Sequence, residues 1–198
     1  MIIVLEAFDV LKTFSLSLRS NHFDCKLVVI RFGRLCKRFN KNVFLKDKIS
    51  VMTAFKNKTV LITGGTRGIG KATAMAFANK GAILGLNYKS NTAAATAALQ
   101  ELSGEGHRGF KYDISQKTEA KALIDDFINS YGKIDVLVNN AGISIPHDFD
   151  EVDLEAWTSA FELTFQTNFF AAANLSYLAA KQMMKTGGGH IVNVSSRG

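Results

Sequence analysis

The pattern of apolar and polar positions becomes regular after residue 57, where short apolar runs alternate with longer stretches of helical periodicity. Short runs rich in β-branched residues predict strands, and apolar residues that recur every three or four positions predict helices. The predicted strands cover residues 59–62, 82–86, 110–112, 134–138 and 191–194, and the predicted helices cover residues 71–79, 92–102, 116–131 and 154–185. Such alternation predicts a parallel sheet with helices on both faces.

Capping residues sharpen the helix boundaries. Asn91 and Ser115 are predicted N-caps, and Gly81 and Gly132 stand where helices usually stop. Right-handed crossovers and a Gly-rich turn after the first strand then give an α/β fold with a doubly wound parallel sheet. We predict a Rossmann-like, three-layer α/β/α domain in which the five strands lie in the order 3-2-1-4-5.

The first quarter of the chain differs from the rest. Residues 1–51 show no sustained period and hold ten Lys or Arg against four Asp or Glu, whereas residues 52–198 hold fourteen against thirteen. We therefore predict a basic N-terminal extension outside the fold and a domain at residues 52–198. Met52 lies eleven residues before Thr63 and is the favoured functional start. A mitochondrial transit peptide is the alternative for the extension, weakened by its four acidic residues.

Composition excludes several classes of function. The net charge of +7 belongs almost entirely to the extension, so a basic nucleic-acid-binding face on the domain is not expected. No window approaches about 18 consecutive apolar residues, and no membrane span is predicted. Cys25 and Cys36 lack the partners that a metal site needs, so we expect no metal and a cytoplasmic location.

The turn after the first predicted strand carries the clearest chemistry. Glycines at its bends would let the backbone approach a pyrophosphate, and the following helix N-terminus would offer unpaired N–H groups. We assign this turn to cofactor binding with all of its residues, which are Thr63, Gly64, Gly65, Thr66, Arg67, Gly68, Ile69 and Gly70.

The spacing Thr-Gly-x-x-x-Gly-x-Gly resembles the short-chain dehydrogenase/reductase family, and the resemblance extends over residues 56–198. It implies that Asp113, with Ile114, contacts the adenine after the third strand, and that the segment Asn140-Ala141-Gly142 lies beside the cofactor after the fourth. It also implies an active-site Asn at Asn168. The spacing of eleven residues from Trp157 to Asn168 is about one helical turn longer than is common in the family.

The fifth predicted strand ends in two serines. The resemblance implies a catalytic Ser that hydrogen-bonds the substrate carbonyl, and Ser196 fits better than Ser195 because it stands two residues before Gly198. The family's proton donor is a Tyr in a Tyr-x-x-x-Lys motif, expected roughly a dozen residues later. The only Tyr with Lys four positions on is Tyr177 with Lys181, which precedes the serines and is expected to pack.

The residues after the second predicted strand indicate the nucleotide. NAD-specific folds place an acidic residue there to bind the ribose 2′-hydroxyl, but this chain has Tyr88 and Lys89. Lys89 and Arg67 would favour the 2′-phosphate of NADP through charge-assisted hydrogen bonds. The combination of Arg67 with Asn87-Tyr88-Lys89-Ser90-Asn91 resembles the 3-oxoacyl-carrier-protein reductase branch of the family.

The resemblance implies hydride transfer between NADP(H) and a small carbonyl or alcohol substrate, in a homo-oligomer when full-length. It also implies that the sheet is incomplete at the C-terminus, with an uncovered edge, and that this chain is inactive alone. Two alternatives stay open. One is a non-catalytic NADP-binding or redox-sensing protein on the same fold, and the other is an interaction protein that holds an acidic partner through residues 1–51.

Overall fold

The structure is a computed structural model that describes residues 2–6, 25–32, 54–146 and 150–196. Its strands are β1 Ile2–Glu6, β2 Cys25–Phe32, β3 Thr59–Thr63, β4 Ile83–Tyr88, β5 Arg108–Lys111, β6 Val136–Asn139 and β7 Gly189–Ser196. Its helices are α1 Gly68–Ala78, α2 Thr92–Gln100, α3 Lys117–Tyr131, α4 Leu154–Phe165 and α5 Ala171–Lys185, with a π-helical turn at Gln166–Phe170 between α4 and α5.

The seven strands in the described part of the chain form one parallel sheet in the order β1-β2-β7-β6-β3-β4-β5. The last five strands along the chain therefore lie in the order β5-β4-β3-β6-β7, which confirms the predicted order 3-2-1-4-5. In a parallel sheet every strand ends at the same edge, so the segments that follow β3, β4, β5, β6 and β7 all meet there. In an open α/β sheet this edge binds ligands where the strand order reverses, which here is beside β3.

Two hydrophobic cores, one on each face of the sheet, confirm the three-layer arrangement. Alternate residues of β3 divide between them: Leu61 faces the core under α3 and α5, and Val60 and Ile62 face the core under α1 and α2. This is the period of two that a strand imposes on its side chains. Both faces are covered, which explains why the strands are almost continuously apolar.

Helix boundaries agree with the prediction at some ends and differ at others. Asn91 caps α2 by accepting from the Ala94 N–H at 2.9 Å, and Gly132 ends α3 in the left-handed region with φ 79°. The N-cap of α3 is Gln116 rather than Ser115. The Ser115 hydroxyl instead donates to Asp113 at 2.7 Å, so a local side-chain bond replaces the expected cap.

The predicted helix 154–185 consists of two α-helices separated by the π-helical turn. A π turn holds one residue more than an α turn, so it changes the phase between the helices on either side of it. Helix α5 buries four side chains against the sheet, which are Ala171, Leu175, Ala179 and Met183, whereas α4 has no buried residue. The extra turn noted from the sequence is therefore not a simple continuation of one regular helix.

Two segments of the N-terminal extension differ from the expectation that residues 1–51 lie outside the fold. Strand β2 pairs with β7 from Cys25 opposite Gly189 to Phe32 opposite Ser196, and β1 pairs with β2. The edge of β7 that was expected to be uncovered is thus paired within the chain. The physical reason is that the N–H and C=O groups along a strand edge need partners, and β2 supplies them for β7. Met52 and Cys36 lie outside the described residues.

Candidate nucleotide-binding and catalytic site

The Gly-rich turn joins the end of β3 to the start of α1. Gly64 and Gly68 have φ of +61° and +53°, which side-chain-bearing residues rarely adopt. A Cβ atom added to Gly70 would lie 2.3 Å from the Gly64 carbonyl oxygen and 2.5 Å from Asn140 Nδ2. Glycine at these positions is therefore a steric requirement of the turn.

The turn is fastened to the segment after β6. Asn140 Nδ2 donates to the carbonyl oxygens of Thr63 at 3.0 Å and Gly64 at 3.1 Å. In return, the hydroxyl of Thr63 accepts from the backbone N–H groups of Asn140 and Ala141, both at 3.0 Å. The buried Thr63 and the Asn140 side chain are thus engaged within the protein, so they set the shape of the site through the backbone.

Helix α1 begins at Gly68 beside this turn. Its N-cap residue, Arg67, has extended backbone, and no side chain among the described residues caps the helix. Its first N–H groups and the positive end of the helix dipole are therefore available to an anion. Arg67 is exposed, and Ile69 is 45% exposed although it is a large apolar residue.

Asn168 is brought from the π-helical turn to the segment that follows β6. Its Oδ1 accepts from the Ile143 N–H, and its Nδ2 donates to the Ile143 carbonyl oxygen, both at 2.8 Å. A Cβ atom on Gly142 would lie 3.5 Å from Asn168 Oδ1. Both ends of the amide are used to hold the backbone, so Asn168 positions the 141–143 segment. π turns within α-helices are frequent at functional sites.

The carboxyl ends of β4 and β5 form the other end of the site. The side chain of the buried Asn87 donates from Nδ2 to the carbonyl oxygens of Phe110 at 3.2 Å and Tyr112 at 3.0 Å. The backbone carbonyl oxygen of Asn87 accepts from the Gly65 N–H at 3.2 Å. Asn87 therefore links the Gly-rich turn to the end of β5. Sequence reasoning did not select it, although an amide side chain within an apolar strand is a visible signal.

Lys89 and Asp113 form an ion pair across the ends of these two strands, with 2.7 Å between Lys89 Nζ and Asp113 Oδ2. Asp113 Oδ1 accepts from the Ser115 N–H at 3.1 Å and from its hydroxyl at 2.7 Å. Desolvation opposes ionisation, but the bonds from Lys89 and Ser115 outweigh it and lower the pKa of Asp113. The carboxylate is therefore ionised at neutral pH.

The remaining predicted contacts at this end divide between surface and core. Tyr88 ends β4 and is half-buried, whereas the side chain of Ile114 lies in the core under α3. Ile114 can therefore face a nucleotide only through its backbone. Glu119, which the sequence reasoning missed, accepts from the Asp113 N–H at 2.5 Å.

The serines lie at the same edge of the sheet, at the end of β7. Strand β7 pairs with β6 as far as Asn139 opposite Asn193, and the two side chains are joined by a 2.8 Å hydrogen bond. The backbone of β7 continues to Ser196, whose side chain lies outside the described residues, as do Arg197 and Gly198. The fold thus brings the end of β7 to the edge that holds the Gly-rich turn and the 140–142 segment.

Tyr177 does not join this group. It stands on α5 midway between the buried Leu175 and Ala179, which places it on the opposite side of the helix. The residue is 63% exposed, and Lys181 Nζ lies 5.5 Å from the ring centroid. The expectation that this ring packs is wrong, because the face of α5 that carries it is turned to solvent.

Within the part of the chain that the structure describes, no three His, Cys, Asp or Glu side chains are grouped closely enough to hold a metal ion. In the same residues, no helix has both the length and the apolar character needed to cross a membrane.

Curated relatives match most of the domain. An L-rhamnose 1-dehydrogenase (NAD(P)(+)) of Sphingomonas sp. (strain SKA58) is 35% identical over 148 residues, which are 73% of this chain and 57% of the relative. A 3-oxoacyl-[acyl-carrier-protein] reductase of Synechocystis sp. (strain ATCC 27184 / PCC 6803 / Kazusa) is 34% identical over 147 residues, which are 73% of this chain and 58% of the relative. The chain thus spans little more than half the length of these proteins.

A solved structure is also similar to this chain. The structure of a short chain dehydrogenase from Burkholderia cenocepacia J2315 in complex with NADP has a TM-score of 0.57 and 27% identity, and the match covers 65% of this chain and 51% of that one. The sequence model of the short chain dehydrogenase family matches residues 58–198, which include every element of the site. The chain therefore belongs to the short-chain dehydrogenase/reductase family, whose members are oxidoreductases that bind a nicotinamide nucleotide.

Proposed function

We propose that residues 52–198 bind NADP(H) in an oxidoreductase that transfers a hydride between this cofactor and a small carbonyl or alcohol substrate. The observation that carries the proposal is the glycine cradle, in which any Cβ on Gly70 would collide with the Gly64 carbonyl oxygen and Asn140. Such a closely packed turn at a free helix N-terminus fits a pyrophosphate. The relative named for NAD(P)(+) and the neighbour bound to NADP support the nucleotide class.

Preference for NADP over NAD is proposed on charge. Among the described residues, the ends of β4 and α1 offer the cations Lys89 and Arg67, and no acidic side chain stands in the 87–91 segment where an NAD-specific fold needs one. A 2′-phosphate would accept charge-assisted hydrogen bonds from these groups. Tyr88 and Asp113 would border the adenosine.

Binding measurements test this assignment directly. The dissociation constants of NADPH and NADH are measured for the 198-residue chain and for the Tyr88→Asp/Lys89→Ala variant. The unchanged chain should prefer NADPH, and the variant should shift toward NADH, because a carboxylate repels the 2′-phosphate and accepts a bond from a 2′-hydroxyl. Equal affinities for both nucleotides before and after the change would contradict the assignment.

The catalytic roles are proposed for Ser196 and Asn168. The cofactor supplies the hydride when bound. Ser196 would donate a hydrogen bond to the carbonyl oxygen on which charge develops, and Asn168 would keep the backbone of residues 141–143 in place beside it. No Tyr-x-x-x-Lys motif follows Ser196 within these 198 residues, so we expect this chain alone to bind nucleotide without turnover.

Catalysis is tested in a protein that extends this chain with a family-like segment containing Tyr-x-x-x-Lys. There Ser196→Ala should lower kcat by about 10²–10³, the range seen when one hydrogen-bond donor to a developing oxyanion is lost. Ser195→Ala should cost much less, and Tyr177→Phe, on the outer face of α5, almost nothing. Ordinary turnover by the unextended chain would instead direct attention to Tyr177 and Lys181.

Residues 1–51 are proposed to be dispensable for nucleotide binding, because the phosphate turn, Lys89 and Asp113 all follow Met52. NADPH affinity should be the same for chains that start at Met1 and at Met52. Melting temperatures of the two chains show separately whether the pairing of β2 with β7 contributes to stability. A loss of nucleotide affinity in the shorter chain would contradict the proposed domain boundary.

A homo-oligomer is proposed for the full-length protein, and the apolar surface of α4 supports it. Trp157, Phe161 and Phe165 stack along this helix with ring centroids 5.2 and 4.6 Å apart, and Phe161 and Phe165 are exposed. Contiguous exposed apolar surface is typical of association sites. Sedimentation of the full-length protein should show an oligomer that Phe161→Asp/Phe165→Asp dissociates.

A further inference from the structure

The Lys89–Asp113 ion pair joins two residues to which the proposed function gives separate tasks. Lys89 would meet the 2′-phosphate and Asp113 the adenine, yet in the structure each is the other's partner at 2.7 Å. The pair stands at the exposed end of the site, across the neighbouring strands β4 and β5. A 2′-phosphate that enters the site would therefore compete with the Asp113 carboxylate for the Lys89 ammonium group.

The two partners are held very differently. Asp113 is fixed by the Ser115 N–H and hydroxyl on Oδ1, and its own N–H is fixed by Glu119. Its side chain is 23% exposed, whereas that of Lys89 is 64% exposed. Asp113 is thus a rigid anchor, and Lys89 is the flexible member that the anchor holds.

We propose that Asp113 weakens the preference for NADP over NAD by holding Lys89 in an ion pair. With NAD bound, the Lys89 ammonium keeps its ion pair with the carboxylate, so NAD binding does not disturb the pair. With NADP, the phosphate must share Lys89 with Asp113, so the gain from the 2′-phosphate is reduced. Discrimination depends on the penalty against the wrong ligand as well as the gain with the right one. Asp113 is here a positioning residue that broadens nucleotide choice.

This inference rests on the proposed function, and a pair of matched ligands separates the two. Adenosine 2′,5′-bisphosphate and adenosine 5′-monophosphate differ only in the 2′-phosphate, so any adenine contact of Asp113 cancels in the ratio of their dissociation constants. The ratio is measured at pH 8 for the 198-residue chain, for Asp113→Asn, for Lys89→Ala and for the double variant.

Asp113→Asn should raise the preference for the bisphosphate by roughly two- to fivefold, the scale of an exposed ion pair. Lys89→Ala should lower that preference. In the Lys89→Ala background, Asp113→Asn should change nothing further, because the carboxylate acts through the lysine. Asp113→Ser, which keeps an acceptor for the Ser115 N–H, replaces Asp113→Asn if that variant does not fold.

Three other outcomes would each refute a different part of the proposal. If Lys89→Ala lowers the preference but Asp113→Asn leaves it unchanged or lowers it, the proposed NADP site stands and the role of Asp113 is refuted. If Asp113→Asn raises the preference equally with and without Lys89, the carboxylate repels the phosphate directly and the route through Lys89 is refuted. If Lys89→Ala has no effect, the proposed contact of Lys89 with the 2′-phosphate is refuted, and the role of Asp113 through Lys89 is refuted with it.

Discussion

At one end of the candidate nucleotide site, a Cβ atom on Gly70 would lie 2.3 Å from a backbone oxygen, and Asn140 and Thr63 are joined by partly buried hydrogen bonds. At the other end, Lys89 and Asp113 form an ion pair whose lysine is mostly in solvent. The first end is defined by sterics and by satisfied backbone groups, and the second by charges screened by water. Changes at the phosphate turn should therefore affect every nucleotide strongly, and changes at the ribose end should affect the choice between nucleotides modestly.

Gly70→Ala should have the largest effect. The added methyl group meets the Gly64 carbonyl oxygen and Asn140, neither of which can move without breaking the turn. We expect a destabilisation of roughly 1–3 kcal/mol or more and loss of affinity for NADPH and NADH alike, measured by thermal melting and by titration.

Gly132→Ala is the matched control for this change. Gly132 has φ +79° and open space around it, so Ala there costs about 1–2 kcal/mol of backbone strain without touching the site. Its nucleotide affinity should equal that of the unchanged chain. If Gly70→Ala also binds both nucleotides normally, the turn is not a steric cradle.

Asn140→Ala should have the next largest effect. It removes the Nδ2 donor from the Thr63 and Gly64 carbonyl oxygens, and leaving such groups unpaired costs about 1–3 kcal/mol. NADPH and NADH affinities should fall by the same factor, because the change acts on the shared phosphate turn. A selective loss of NADPH affinity would show that the two ends of the site are not independent.

Salt should have a smaller effect, limited to the ribose end. Raising the ionic strength from about 0.05 to 0.5 M shortens the range of charge interactions at exposed groups such as Lys89. The ratio of NADPH to NADH affinity should fall by a fewfold, because both nucleotides share the phosphate turn and only one has the 2′-phosphate. A ratio that does not change with salt would argue against a charge-based preference.

Asp135→Asn should leave nucleotide affinity unchanged, because Asp135 lies at the amino ends of β3 and β6, opposite the site. Desolvation opposes its ionisation, but the Thr59 N–H, Lys58 and Lys133 outweigh it and lower the pKa of Asp135. A lowered folded-state pKa stabilises the protein above the ordinary value of 3.8, and this contribution is lost as the pH falls through the folded-state pKa.

The melting temperature of Asp135→Asn should therefore be lower than that of the unchanged chain at pH 7. The difference should shrink below about pH 4, where the carboxyl takes up its proton. A pH-independent difference would mean that lost packing, rather than lost charge, is responsible.

The residue pattern alone predicted the five-strand order, the two covered faces and the position of the Gly-rich turn. Each of these follows from local information: strand periodicity places alternate residues of β3 in opposite cores, and the glycines mark a turn that side chains would block. Family resemblance added Ser196 and Asn168, and the lack of an acidic residue after the second predicted strand pointed to Lys89. The roles of these three residues remain predictions.

Tertiary structure alone decided how the predicted residues are used. The sequence could not show that the side chains of Asn87, Thr63 and Asn140 hydrogen-bond to the backbone of the site, because these partners lie 23 to 77 positions away along the chain. It could not separate α4 from α5, because both carry apolar residues at helical spacing and only packing against the sheet distinguishes them. For the same reason the pairing of β2 with β7 and of Lys89 with Asp113 became visible only in three dimensions. Local patterns fix what an element is, and contacts between distant residues fix what it touches.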